Sequence, residues 1–181
     1  MFALSRGAFA ALLLLLVACH GAPTPDKEDA MNDTPADAEP QGVILRVTFD
    51  DAPLGHYDEA TLRAAWPGTR WASPDRAWIV EGPEARAGRS LRIDYPKGAV
   101  GPRQGGAQWR VDLPQSYDEL YCAYWIKFGE GFDFVRGGKI PGFSGGEGNT
   151  GGNKPDGSDG WSARMMWRKD GQAVQYVYHP D

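Results

Sequence analysis

The chain has 181 residues, with 24 Asp and Glu against 19 Lys and Arg and a formal net charge of -5. Most of the acidic surplus sits in one segment near the N-terminus, so it characterises that segment and not the partners of the rest; no nucleic-acid partner is expected. Only two cysteines are present, Cys19 and Cys122, which excludes a fold stapled by several disulfides.

Residues 1–18, MFALSRGAFAALLLLLVA, carry one arginine, then an apolar run too short to span a bilayer comfortably, then small residues, the pattern of an export signal. The ending Leu16-Val17-Ala18-Cys19 resembles the lipobox of bacterial lipoproteins, in which the cysteine is cleaved free, acylated and made the first residue of the mature chain. Cys19 is therefore the expected lipidation site and the lipid the expected membrane contact; the alternative is an ordinary secretory signal cut near Ala22. His20 follows, not the aspartate that resembles an inner-membrane retention signal. Outer-membrane sorting is thus expected over inner, with secretion as the alternative. Residues 19–41 turn to Pro, Ala, Asp and Glu, a composition that cannot bury enough apolar surface to offset chain entropy and reads as a tether.

Residues 42–181 make one domain by length. The runs VILRVTF, AWIVEG, SLRIDY, AQWRVDL, LYCAYWIKF, WSARMMWR and AVQYVYH alternate in polarity and are punctuated by Gly and Pro, which predicts short strands. Only DEATLRAAW, stopped by Pro67, reads as a helix. The expected fold is all-β, a jelly-roll β-sandwich. Because the chain stops directly after a strongly patterned strand, further strands beyond Asp181 are expected. In LYCAYWIKF, Cys122 is expected to be unpaired and buried, and Lys127 to be structural or at a rim. Trp109, Trp125, Trp161 and Trp167 are assigned to the core.

The last segment, WSARMMWRKDGQAVQYVYHPD, has more order than a core hairpin requires. Residues two apart on a strand share a face, so Ser162, Arg164, Met166 and Arg168 lie together, as do Val174, Tyr176 and Tyr178. A three-residue turn, Lys169-Asp170-Gly171 with glycine in the left-handed position, pairs Arg168 with Gln172, Arg164 with Tyr176 and Ser162 with Tyr178. A two-residue Asp170-Gly171 loop instead sets Met165 opposite Tyr176. Between the earlier strands lies FGEGFDFVRGGKIPGFSGGEGNTGGNKPDGSDGW, read as a long glycine-rich loop that carries Lys139. Its DGSDG run lacks the ligand pattern of an EF-hand and reads as turn chemistry; neither metal nor cofactor is expected.

The run YWIKFGEGFDFVRGGKIPGFSGG, followed by GWSARMMWRKDGQAVQYVYHPD, resembles family 14 of the polysaccharide lyases, which includes alginate and glucuronate-specific lyases with a jelly-roll fold. The likeness covers about Val43 onward and is sharp from about Tyr121; Ile140 and Phe143 stand where leucines are more usual. In that family a lysine of the glycine-rich loop, a serine and an arginine two apart, and two tyrosines two apart form the active site. Lys139, Ser162, Arg164, Tyr176 and Tyr178 occupy the matching positions. In GAQWRVDL, Gln108 and Arg110 share a face, and the resemblance makes them candidate substrate-binding residues; the alternative is an ordinary solvent-facing pair.

The resemblance implies cleavage of an acidic polysaccharide, alginate or glucuronan, by removal of the uronate C5 proton and expulsion of O4. A cation beside the carboxylate disperses the charge of the enolate-like transition state, which suits Arg164 and Lys139. Nearby cations also favour a tyrosine phenolate as base. Ser162 reads as a hydrogen-bonding neighbour and not a nucleophile, since His20, His56 and His179 give it no activating partner. Two other classes compete. A non-catalytic carbohydrate-binding jelly-roll module calls for exposed tryptophan platforms. A glycoside hydrolase calls for two facing carboxylates, for which Glu130 and Asp133 are the nearest candidates.

Overall fold

A computed structural model describes residues 42–180. The export signal, Cys19 and the 19–41 tether lie outside the described residues. The chain divides into two compact units, one ending at Phe132 and the other starting at Asp133. Among the described residues both are all-β apart from one short helix and brief 3-10 turns, and every strand pairing is antiparallel. No described helix is long and apolar enough to cross a membrane.

The first unit contains β1 (Gly55–His56), α1 (Glu59–Ala65), β2 (Thr69–Ser73), β3 (Ala77–Glu81), β4 (Arg89–Ile93) and β5 (Gln108–Val111). Its sheets run in the orders β1-β3-β4 and β2-β5. Alternation builds the core here as expected. Ala77 pairs with Ile93 and Ile79 with Leu91, and all four side chains are buried, so inward residues meet across the pair. The predicted helix forms over α1. The Asp58 carboxylate accepts the Thr61 N–H at 2.8 Å, Leu62 alone turns fully inward, and Pro67 follows with no N–H to continue the ladder.

Two predicted strands are not formed. VILRVTF makes no ladder, although Val47 and Phe49 are buried. LYCAYWIKF keeps its alternating exposure from Tyr121 to Phe128 but forms only isolated bridges at Ala123 and Ile126. Alternation decides which side chains turn inward; a ladder also needs a neighbouring backbone in register. Within the second of these segments Cys122 is unpaired but only partly buried, and burial pushes its thiol up to about 12. Lys127 donates to the Pro83 carbonyl at 3.0 Å, the structural role. The core assignment fails for Trp125 and Trp161, which are 39% and 43% exposed, whereas Trp167 is buried.

The second unit is a three-stranded sheet of β6 (Gly137–Gly146), β7 (Gly160–Arg168) and β8 (Ala173–Tyr178), in that order. The β7–β8 hairpin has the expected register, with Arg168 N–H donating to the Gln172 carbonyl. Its turn differs in one respect: Asp170 as well as Gly171 has positive φ, 64° and 79°, a conformation aspartate tolerates better than most residues. The larger correction is β6. Within the presumed loop lies a ten-residue strand, and its glycines have a packing cause. A Cβ on Gly138 would fall 2.1 Å from the Trp167 ring and one on Gly145 2.4 Å from the Trp161 ring. The tryptophans of β7 lie over the bare backbone of β6. Trp161, being exposed, can swing away and buried Trp167 cannot. Gly138→Ala should therefore destabilise by about 1–3 kcal/mol, read from the urea midpoint of the full chain, and more than Gly145→Ala; equal midpoints would contradict this packing account.

Candidate active site

Register collects a polar group on one face of the second unit's sheet. Arg164 lies opposite Gly142 on β6 and Tyr176 on β8, Ser162 opposite Ser144 and Tyr178, and Lys139 opposite Met166. Opposed residues of an antiparallel sheet project to the same side. Lys139 reaches that side only because of a bulge: the register shifts between Lys139 and Gly142, so Ile140 and Pro141 together oppose Met165 and parity changes. Pro141, which has no N–H to give to a ladder, suits that position. Lys139 thus belongs to a strand and not to the expected loop, and the five residues matched by the lyase resemblance share one face.

Their contacts are short. The Tyr176 and Tyr178 hydroxyls are 2.9 Å apart, with the rings edge to face at 5.2 Å. Lys139 Nζ stands 4.8 Å from the Tyr176 ring centroid. The Tyr178 oxygen also accepts the Gly152 N–H at 3.0 Å, from the segment that joins β6 to β7. The two tyrosines are consequently unlike. The hydrogen bond from Tyr176 lowers the Tyr178 pKa, helped by the Gly152 N–H and by the charges of Lys139 and Arg164. That same bond raises Tyr176, with burial and the neighbouring phenol adding to it. Tyr178 is the phenol poised to ionise, Tyr176 the one that keeps its proton.

Arg164 supplies the positive charge. Burial lowers its pKa, against which the two tyrosines act, and its Nε and Nη2 are enclosed without a hydrogen-bond partner. Unpaired buried N–H groups are costly, and a charged fork with free donors is matched to a planar anion.

Ser162 is a different case. It is 1% exposed and its hydroxyl donates to the Asn149 carbonyl at 2.6 Å, so it ties the β6–β7 segment to β7 and does not face a ligand. His56 packs edge-on against Trp78 and His179 is exposed, so neither is seen to activate it. Gln108 and Arg110 are not on this sheet: they lie on β5 of the first unit, opposite Ser73 and Trp71, and Arg110 is 3.7 Å from Asp112. The DGSDG run is turn chemistry, with Asp156 Oδ1 accepting the Ser158 hydroxyl and the Ser158 and Asp159 N–H groups. Among the described residues no group of three His, Cys, Asp or Glu is placed to hold a metal.

Gly152 and Asn149 were not anticipated. Gly152 contributes through its backbone, and nothing in the text NTGGNK ties that amide to a tyrosine 26 residues on. A hollow of about 410 Å³ opens beside it, lined by Gly152, Lys154, Pro155, Val177, Tyr178 and His179.

Comparison with known proteins bears on the family and the fold. Curated proteins give no match. Among solved structures, alginate lyase Aly36B is similar, at 26% identity over 76% of this chain and 55% of its own, with a TM-score of 0.55. The chain therefore spans about half the length of that protein, and it shares an all-β, jelly-roll-like fold with it. The family model for polysaccharide lyase 14 matches residues 83–181, a stretch that contains all five residues of the polar face, and the chain belongs to that family.

Proposed function

We propose that this protein is a polysaccharide lyase that cleaves a uronate-containing polysaccharide, alginate or glucuronan, by β-elimination. The observation that carries the reading is Arg164: a partly enclosed guanidinium with two unpaired N–H groups on the same sheet face as a hydrogen-bonded tyrosine pair. A uronate carboxylate supplies the acceptors the fork lacks, and its neutralisation makes the adjacent C5 proton removable. Family membership and the similarity to an alginate lyase support the same class of chemistry.

In the proposed step the Tyr178 phenolate takes the C5 proton. The C5–H electron pair becomes the C4=C5 double bond, the C4–O4 bond breaks, and O4 takes the Tyr176 proton as the new chain end leaves. The tyrosines have then exchanged charge. With their oxygens 2.9 Å apart, one proton transfer from Tyr178 to Tyr176 restores the starting state. Lys139, beside the Tyr176 ring, favours the phenolate; Ser162 positions the segment behind Tyr178. Gln108 and Arg110 are retained as candidate contacts to the polymer. The exposed Trp71, Trp125 and Trp161 suit the alternative of a sugar-binding module, which would hold polymer without forming unsaturated ends.

Following absorbance of unsaturated ends on several polyuronates separates the two. Tyr178→Phe keeps the ring and loses the base, so kcat should fall by about 10²-fold or more while the thermal midpoint barely moves; near-normal turnover would sink the mechanism. Since the base works ionised and its pKa is lowered, kcat/KM should rise with pH through a midpoint below the ordinary tyrosine value of about 10. Arg164→Lys keeps charge but loses the planar fork. Its expected signature is a fall of about tenfold or more in kcat/KM on polyuronate; unchanged kinetics would remove the carboxylate assignment. The protein is further proposed to be a lipoprotein of the cell envelope: Cys19→Ala should abolish palmitate labelling in a bacterial host, and labelling that persists would count against the anchor.

A further inference from the structure

The segment joining β6 to β7 is tied at its ends by one set of hydrogen bonds, and its middle gives a separate one to the reacting phenol. Ser162 Oγ donates to the Asn149 carbonyl at 2.6 Å. The Asn149 side-chain amide donates to Asp159 Oδ2 at 2.6 Å, and Asp159 Oδ1 accepts the Asp156 N–H at 3.0 Å. The Glu147 N–H closes the base of the segment on the Asp159 carbonyl at 2.8 Å. One carboxylate therefore grips both ends of the loop whose middle presents the Gly152 N–H to Tyr178. Asn149 is buried, and its Oδ1 is enclosed without a partner, a cost that a loop free to relax would shed. Gly151 and Gly152 hold φ of 69° and 92°, which side-chain-bearing residues rarely adopt. The loop is held in a conformation that aims one amide.

We propose that Asn149 and Asp159 are positioning residues that bridge the β6–β7 segment and hold the Gly152 N–H against the Tyr178 oxygen. The inference rests on the reading of Tyr178 as the base. Neither residue reaches the polymer; both act through an amide that stabilises the phenolate, as a backbone donor stabilises an oxyanion. The lowered pKa of Tyr178, to which the Gly152 bond contributes, agrees with it. The other groups that face Tyr178 are Tyr176 on its own strand, Lys139 from β6 and Arg164 from β7, with Lys154 and His179 at the shared hollow.

The test is tyrosine titration by NMR on full-length protein labelled at the phenolic carbon, with the Tyr178 signal identified by its loss in Tyr178→Phe. Asn149→Ala releases one end of the bridge, and the Tyr178 midpoint should rise by about one pH unit, the worth of one hydrogen bond to an anion. Asp159→Asn is nearly isosteric and keeps one acceptor, so it should fold and shift the midpoint in the same direction by less. The acid limb of the kcat profile should move with the titration, so that turnover lost near neutral pH returns at higher pH. An unchanged Tyr178 midpoint in folded Asn149→Ala and Asp159→Asn overturns the bridge, even if polyuronate is cleaved. A raised midpoint without cleavage of any polyuronate leaves the bridge standing and removes the function.

Discussion

Closure of the turn at Arg168 and Gln172 governs which groups share the candidate active site. Side chains on a strand alternate with a period of two, so moving β8 by one residue against β7 would send Tyr176 and Tyr178 to the far side and bring Gln175 and Val177 beside Arg164. The three-residue turn forbids that shift. With the register held, Arg164 faces Tyr176 and Ser162 faces Tyr178, which brings the guanidinium and the two phenols to one side of the sheet. On the other flank the β6 bulge performs the same task for Lys139, using an extra residue to change parity where a regular ladder would have turned the lysine away.

The two phenols illustrate how little is needed to divide identical groups. One shared hydrogen bond pushes their acidities in opposite directions, and the Gly152 amide adds to the lowering at Tyr178. That amide is useful because it is neutral, fixed and already oriented, so ionisation of Tyr178 requires no rearrangement of its donor. Lysine and arginine add charge at longer range. Arg164 meanwhile keeps unpaired donors in a partly enclosed place, a cost to the folded state that a bound anion would relieve.

Stability and chemistry meet in the glycines of β6. Gly138 and Gly145 leave room for tryptophan rings of the neighbouring strand, so at these two positions β7 side chains cover β6 backbone. The polar face therefore depends on packing at its back: Trp167, buried, lies on the strand that carries Arg164 and Ser162.

Much of the site was legible in the amino-acid order alone. Alternation in WSARMMWR and AVQYVYH and the turn residues between them determine the hairpin register, because a period of two and a turn length leave one parity. Asp58 and Pro67 mark the helix ends for equally local reasons. The β6 strand was not legible, because glycine is read as conformational freedom; here it serves close approach by tryptophans that only the folded sheet brings near. The missing ladders of VILRVTF and LYCAYWIKF have the converse cause, since a pattern can orient side chains but cannot supply a partner. Ser162 shows the boundary most clearly: its place on the polar face follows from the sequence, whereas its burial against Asn149 and the delivery of the Gly152 amide to Tyr178 depend on the path of a loop, and a backbone N–H carries no residue-specific signature by which sequence could announce it.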